Sequence, residues 1–270
     1  MDGRYMSTKE CIFCGQSGMS KEHFWPDWIG KEFGKSATDK YVEGVIHASP
    51  KSSEHEEKLN ERSGNVTTKK FRVICPKCNN GWMSALEEKV KPIIKNALYS
   101  CDAELKQDEI KLFTQWIVMK TMLAEHSNNK TESTPKSDLI EFGKRQKVPN
   151  SFRIYIAKHD LSENFAYSRT SVRLGTSPIQ SREVIKQGNN TQSTAFLIGR
   201  LFIYVFSCLD PKVNILGEFQ LNHMKRLRFH KSKQLPLKQL KQISSVAVNR
   251  IVFALENYLN SEKIETVEVA

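Results

Sequence analysis

Two Cys-x-x-Cys pairs, Cys11/Cys14 and Cys75/Cys78, constrain this chain more than any other feature. The spacing lets two thiolates from one tight turn reach a single ion, and two such pairs close a tetrahedral shell. Four thiolates leave no position open for a substrate, so a zinc ion held there is structural. Gly15 follows Cys14 where such a turn calls for positive φ, and Pro76 presets φ in the second turn. A redox dithiol and chance pairing are the competing readings. A redox pair belongs to a βαβ setting near a helix start, and neither reading explains two widely separated pairs. Cys101 and Cys208 stand alone and read as buried thiols.

Length allows two domains, or one domain with a small metal module attached: 270 residues. The polar opening Met1-Asp2-Gly3-Arg4-Tyr5 has no basic-then-apolar leader, which predicts a cytoplasmic protein. The most apolar stretch, residues 194–209, is interrupted by Gly199 and Arg200, is too short to span a bilayer, and reads as one buried strand. Paired cysteines in such a chain favour metal over disulfides.

The formal net charge is +11, which favours a polyanionic partner. Residues 1–100 hold 16 Lys/Arg against 13 Asp/Glu, so of the +11 only +3 lies there and +8 in residues 101–270. No acid occurs between Glu218 and Glu256, whereas Lys225, Arg226, Arg228, Lys231, Lys233, Lys238, Lys241 and Arg250 accumulate, with His223 and His230 among them. Such a surface fits sequence-independent phosphate contact; the alternative is a solvated face of a strand and helix.

Periodicity divides the chain coarsely. Residues 24–33 predict a short helix begun by Pro26. Residues 41–47 and 66–74 predict the two strands of a hairpin around a charged, Ser-rich excursion. A helix is expected over 81–90 after Asn79, with Pro92 ending or restarting it. Further along, the pattern predicts a core helix over 104–126, a short helix over 137–146, strands at 152–157, 165–174, 195–207 and 225–230, and a closing helix over 237–260. The expected class is therefore α+β, with a division near residues 100–104: a metal-binding module in 1–100 and an α+β domain for substrate or partner recognition in 101–270.

Cys11-x-x-Cys14, then Glu22-His23, then Cys75-x-x-Cys78-Asn79 resembles the HNH endonucleases of the ββα-metal, treble-clef class, in particular the four-cysteine branch of the recombination endonuclease VII type. The run Cys-Asn-Asn-Gly-Trp-Met-Ser-x-Leu-Glu, Cys78 to Glu87, looks like a signature of bacterial HNH proteins, several of which occur in anti-phage defence. The resemblance covers residue 11 to about residue 90. It implies a treble-clef zinc module, His23 as general base, and Glu22 and Asn79 as ligands of a catalytic Mg²⁺ or Mn²⁺ through oxygen. It further implies DNA as substrate, with other proteins of a defence system as partners. A hard cation prefers oxygen donors, and a neutral imidazole can deprotonate water near pH 7. Adjacent strand residues point apart, so Glu22 and His23 can serve one site only if the chain bends there, and the resemblance implies a loop that supplies that bend.

Plainer roles stand beside these. His23 can be an ordinary hydrogen-bonded histidine, and Asn79 a helix N-cap. Glu87, two turns after Asn79, is a further ligand or a solvated glutamate, and His47 on the expected facing strand is open in the same way. Lys21, Arg72 and Lys77 flank the site and can hold phosphates, although surface lysines usually do nothing specific. Trp25, Trp28 and Trp82 read as core rather than as base-stacking platforms. At the level of function, the alternative to an endonuclease is a non-catalytic treble-clef module that binds nucleic acid, or a scaffold whose basic stretch meets an acidic protein.

Overall fold

The computed structural model describes residues 10–32, 40–47, 56–63, 69–127, 132–161, 165–174, 188–213, 215–228, 231–259 and 261, with the backbone alone for 40–47, 56–63 and 127. The side chain of His47, and His230 altogether, lie outside the described residues.

The N-terminal third opens on the first cysteine turn and closes on a long helix. After the turn come β1 (Ser20–His23), α1 (Asp27–Glu32), β2 (Lys40–His47), β3 (Glu56–Ser63), β4 (Lys70–Ile74), the helical turn α2 (Pro76–Cys78), a π-helical turn at Asn79–Met83, and α3 (Ser84–Tyr99). β1 pairs with β4, and β2 pairs with β3. The hairpin expected between 41–47 and 66–74 is thus two separate pairings: β2 folds back on the charged segment that follows it, and β4 returns to β1. Pro92 does not break α3. It lies on the exposed side, where the freed carbonyl one turn earlier can meet water, while Val90, Ile93 and Ile94 are buried.

The remainder is α+β. β5 (Glu104–Lys106) precedes α4 (Gln107–Ala124), then α5 (Lys136–Arg145), β6 (Phe152–His159), β7 (Phe165–Val172), β8 (Thr191–Ile198), β9 (Leu201–Cys208), β10 (Lys225–Leu227), β11 (Gln234–Pro236), β12 (Gln242–Ile243), α6 (Ser245–Val252) and α7 (Ala254–Leu259). The sheet runs β10-β6-β9-β8-β7, with β12 alongside β6. The apolar run at 194–209 is two strands, not one. Gly199 turns the chain at φ +57°, and a Cβ there would meet the Ala97 carbonyl at 2.5 Å. The expected helix over 237–260 begins only after Ser244, whose Oγ accepts from Ala247 N at 3.3 Å; residues 237–243 are a 3₁₀ turn and a short strand. The predicted core helix likewise opens as a strand, β5.

β8 and β9 are buried along their whole length because both sheet faces are covered. Ile198, Ile203 and Val205 belong to the cluster that includes α3 and α4, whereas Phe202, Tyr204 and Phe206 belong to the one that includes α6 and α7. The first cluster runs without a break from Cys11 to Leu240, across the division expected near residue 100. Trp25 touches Trp116, Phe165 and Phe196; Phe13 touches Trp82 and Phe142. Gly143 is required on α5, since a Cβ there would collide with the Phe13 carbonyl.

A buried carboxylate anchors the end of α4. Glu125 accepts from the backbone N–H groups of Ser133 and Thr134 at 2.9 Å each, from the Thr134 hydroxyl, and from Gln192 Nε2 at 2.6 Å. Arg169 comes within 4.0 Å. With its lone pairs taken, Glu125 ties α4 to β8 and fixes where the preceding turns of that helix point.

Candidate metal and active site

Four sulfurs converge. The Sγ atoms of Cys11, Cys14, Cys75 and Cys78 all lie within 4.8 Å of one another, and Cys14 and Cys75 are 3.5 Å apart. Gly15 takes φ +72°, as the turn requires, and its N–H donates to Cys11 O at 2.8 Å. Ile12 N donates to Val73 O at 3.1 Å, which docks this turn on β4 just ahead of the second pair. A tetrahedral ion with metal–sulfur bonds near 2.3 Å needs sulfurs about 3.8 Å apart. The observed spread fits, so the group can hold a metal ion such as zinc. Burial pushes the thiols of Cys11 and Cys78 up, and a central divalent cation reverses that by favouring thiolates. Among the described residues this is the one group of three or more His, Cys, Asp and Glu side chains placed to share an ion. Cys101 and Cys208 are buried apart from it.

Next to the cysteines the structure assembles Glu22, Asn79, Glu87 and a residue the sequence reading did not single out, Lys120. Glu22 is 6% exposed. Asn79 is not a helix N-cap, since it follows α2 directly in helical conformation; its side chain hydrogen-bonds Glu22 and donates to Ser20 Oγ at 3.3 Å. Glu87 is not merely a solvated glutamate either: although partly exposed, its Oε1 accepts from Lys120 Nζ at 2.7 Å. Lys120 is 0% exposed, with its ammonium 6.0 Å from the Phe24 ring and 5.8 Å from that of Trp116. Burial raises the Glu22 carboxyl to about 7; Lys120 and Asn79 pull it down, and Glu87 pushes it up.

That shift sets a sign. A folded-state value raised from 4.5 to about 7 means that the metal-free fold prefers protonated Glu22, so stability falls as pH rises from 4.5 through 7. Glu22→Gln, which mimics the protonated form, should melt higher than wild type above pH 7 and lose that advantage toward pH 5. Equal melting curves at both pH values would remove the buried charge from the account.

His23 sits differently. Glu22 pairs with Phe71 and His23 with Lys70 in regular succession, and the register shift falls before Glu22, between it and Ser20. The bend needed to turn both side chains to one site is therefore not between them, and they present opposite faces of β1. His23 Nε2 lies 3.6 Å from Asp27 Oδ1, and Asp27 also pairs with Lys31 at 2.6 Å. Lys21, Arg72 and Lys77 are exposed, on β1, on β4 and beside Cys78. Trp25 is buried and Trp28 and Trp82 half-buried, as core residues.

The C-terminal cations are not brought to this site. Lys225, Arg226 and Arg228 are exposed, the first two on β10 at the outer edge of β6. Phe24, next to His23, packs instead on Tyr167 of β7 at the opposite edge, with ring centroids 4.4 Å apart. Four strand spacings, about 19 Å, separate the two edges. No helix among the described residues is long and apolar enough to cross a membrane. No protein-family model, curated protein or solved structure matches this chain.

Proposed function

We propose that this protein is a metal-dependent HNH-type endonuclease that hydrolyses phosphodiester bonds of DNA, with one structural zinc on Cys11, Cys14, Cys75 and Cys78. The observation that carries the reading is Glu22: a carboxyl held almost out of water and hydrogen-bonded to Asn79, on a strand pair and helix pinned by four cysteines. An acid perturbed by burial beside specific charged partners is a functional-site candidate. Glu22 and Asn79 supply oxygen donors for Mg²⁺ or Mn²⁺, which when bound stabilises charge on the phosphate and on the departing 3′ oxygen. His23 is the base that the resemblance implies for the attacking water, with Asp27 beside its ring; because it faces away from Glu22 on β1, this role requires the chain to bend between them when metal and DNA bind. Lys21, Arg72 and Lys77 meet the flanking phosphates, and the products carry 5′-phosphate and 3′-hydroxyl ends. A role in anti-phage defence, with partners from such a system, rests on the sequence resemblance alone.

His23→Ala should abolish nicking of supercoiled plasmid in Mg²⁺ or Mn²⁺ while zinc content, melting temperature and DNA affinity stay near wild type. Undiminished nicking by this variant would take His23 out of the mechanism. A second reading, a non-catalytic treble clef that binds nucleic acid, is favoured by the opposite facing of Glu22 and His23 and predicts salt-dependent binding without cleavage.

The basic edge tests substrate class separately. Replacing Lys225, Arg226 and Arg228 with Ala should weaken binding alike on all sequences and flatten its salt dependence, each lost phosphate contact lowering the slope by about 0.9. An unchanged slope would mean that these charges are merely solvated.

A further inference from the structure

A fully buried lysine beside two carboxylates is the feature that the proposed chemistry does not use. Lys120 comes from α4, not from the N-terminal third, so the site is completed by the other part of the chain. Its ammonium lies among Phe24, Trp116 and Glu87, with no exposure to water. Glu22 feels its charge as well as that of Glu87. A buried ammonium is tolerated only where carboxylates compensate it, and a divalent cation seeks those same oxygens.

We propose that Lys120 is a built-in cation of the candidate site: it engages Glu87 and opposes, through its charge, the binding of a divalent cation at Glu22 and Asn79. The inference rests on the metal-site reading above but concerns a different residue. A divalent ion at this site would have to bind within reach of a fixed positive charge and without Glu87, which is already engaged. Lys120 is thus a positioning residue: it acts on the metal through Glu87 and through its own field. The Lys120→Met variant keeps the volume and removes the charge. It frees Glu87, which is partly exposed and can take water or an ion in place of the ammonium.

The test is Mn²⁺ binding to the full-length, zinc-loaded protein, followed by electron paramagnetic resonance, with thermal unfolding recorded with and without millimolar Mn²⁺. Lys120→Met should bind Mn²⁺ at least about tenfold more tightly than wild type, and Mn²⁺ should raise its melting temperature more than that of wild type. Lys120→Arg, which keeps the charge, should restore the wild-type affinity. Adding Glu22→Gln to Lys120→Met should remove the gain. If Lys120→Met fails to fold alone, Mn²⁺ should restore its fold, because the ion then stands where the ammonium stood; no restoration overturns the proposal. Equal affinity in wild type and Lys120→Met, or no binding by either, also overturns it. A wild type that binds no Mn²⁺ beside a Lys120→Met variant that does would uphold Lys120 as the resident cation and defeat metal-dependent cleavage by the natural chain.

Discussion

Stripping the metal from the four-cysteine cluster is expected to unfold the N-terminal third rather than loosen it. Ligation in small sites of this kind supplies about 10–16 kcal/mol, comparable with the whole stability of a typical domain, about 5–15 kcal/mol. Here the cysteines are part of the core: Cys11, Cys75 and Cys78 are buried beside Phe13 and Ile74. Phe13 also bears on Trp82 and on Phe142 of α5, so disorder should spread into α5. Purified protein should contain about one zinc per chain by elemental analysis. A strong chelator, or Cys75→Ser combined with Cys78→Ser, should abolish the cooperative unfolding transition of this region, followed by near-ultraviolet circular dichroism. A metal-free protein with an unchanged transition would refute a structural metal.

The second large effect belongs to the Glu87–Lys120 pair. Glu87→Gln strands a buried ammonium, and breaking such a pair from one side costs about 3–5 kcal/mol. Lys120→Met should cost less, because Glu87 retains some contact with water. The double variant should recover much of the Glu87→Gln loss, since removing both charges also removes their desolvation. The resulting coupling free energy, measured by denaturant unfolding of all four proteins, separates the pair from ordinary surface ion pairs worth about 0–1 kcal/mol. Additive single effects would place the two groups out of contact in solution.

The cysteine cluster was legible because its determinant is short-range: two residues between ligands, a glycine at positive φ and a proline at a helix start. The bend between Glu22 and His23 that the resemblance implied is absent: plain strand alternation holds there, and the register shift falls before Glu22. The β2–β3 pairing was hidden because β3, Glu-Glu-Lys-Leu-Asn-Glu-Arg-Ser, has the composition of a solvated loop. β8 and β9 merged into one expected strand because covering both faces makes the run continuously apolar, leaving only Gly199-Arg200 to mark the turn. The last helix was expected too early because its apolar spacing continues upstream through Leu240, past the N-cap at Ser244.

Lys120 carried a signal that went unused. It is a lone cation in a stretch where Thr114 to Ala124 are all buried, and a lysine in such a place requires a carboxylate partner. What no local pattern could supply was the partner's identity, because Glu87 lies 33 residues away on another helix. The basic stretch was visible as charge but not as position: only the sheet order puts β10 at the edge away from Tyr167.

The central claim is that Glu22, held beside Asn79 on a cysteine-pinned scaffold, supports phosphodiester cleavage. It is tested most directly by incubating supercoiled plasmid in Mg²⁺ or Mn²⁺ with wild type and with Glu22→Gln, matched for zinc content, and measuring conversion to open-circle or linear DNA. The account predicts conversion by wild type and none above background with Glu22→Gln. Equal conversion by both proteins, or none by a folded, zinc-loaded wild type, would contradict it.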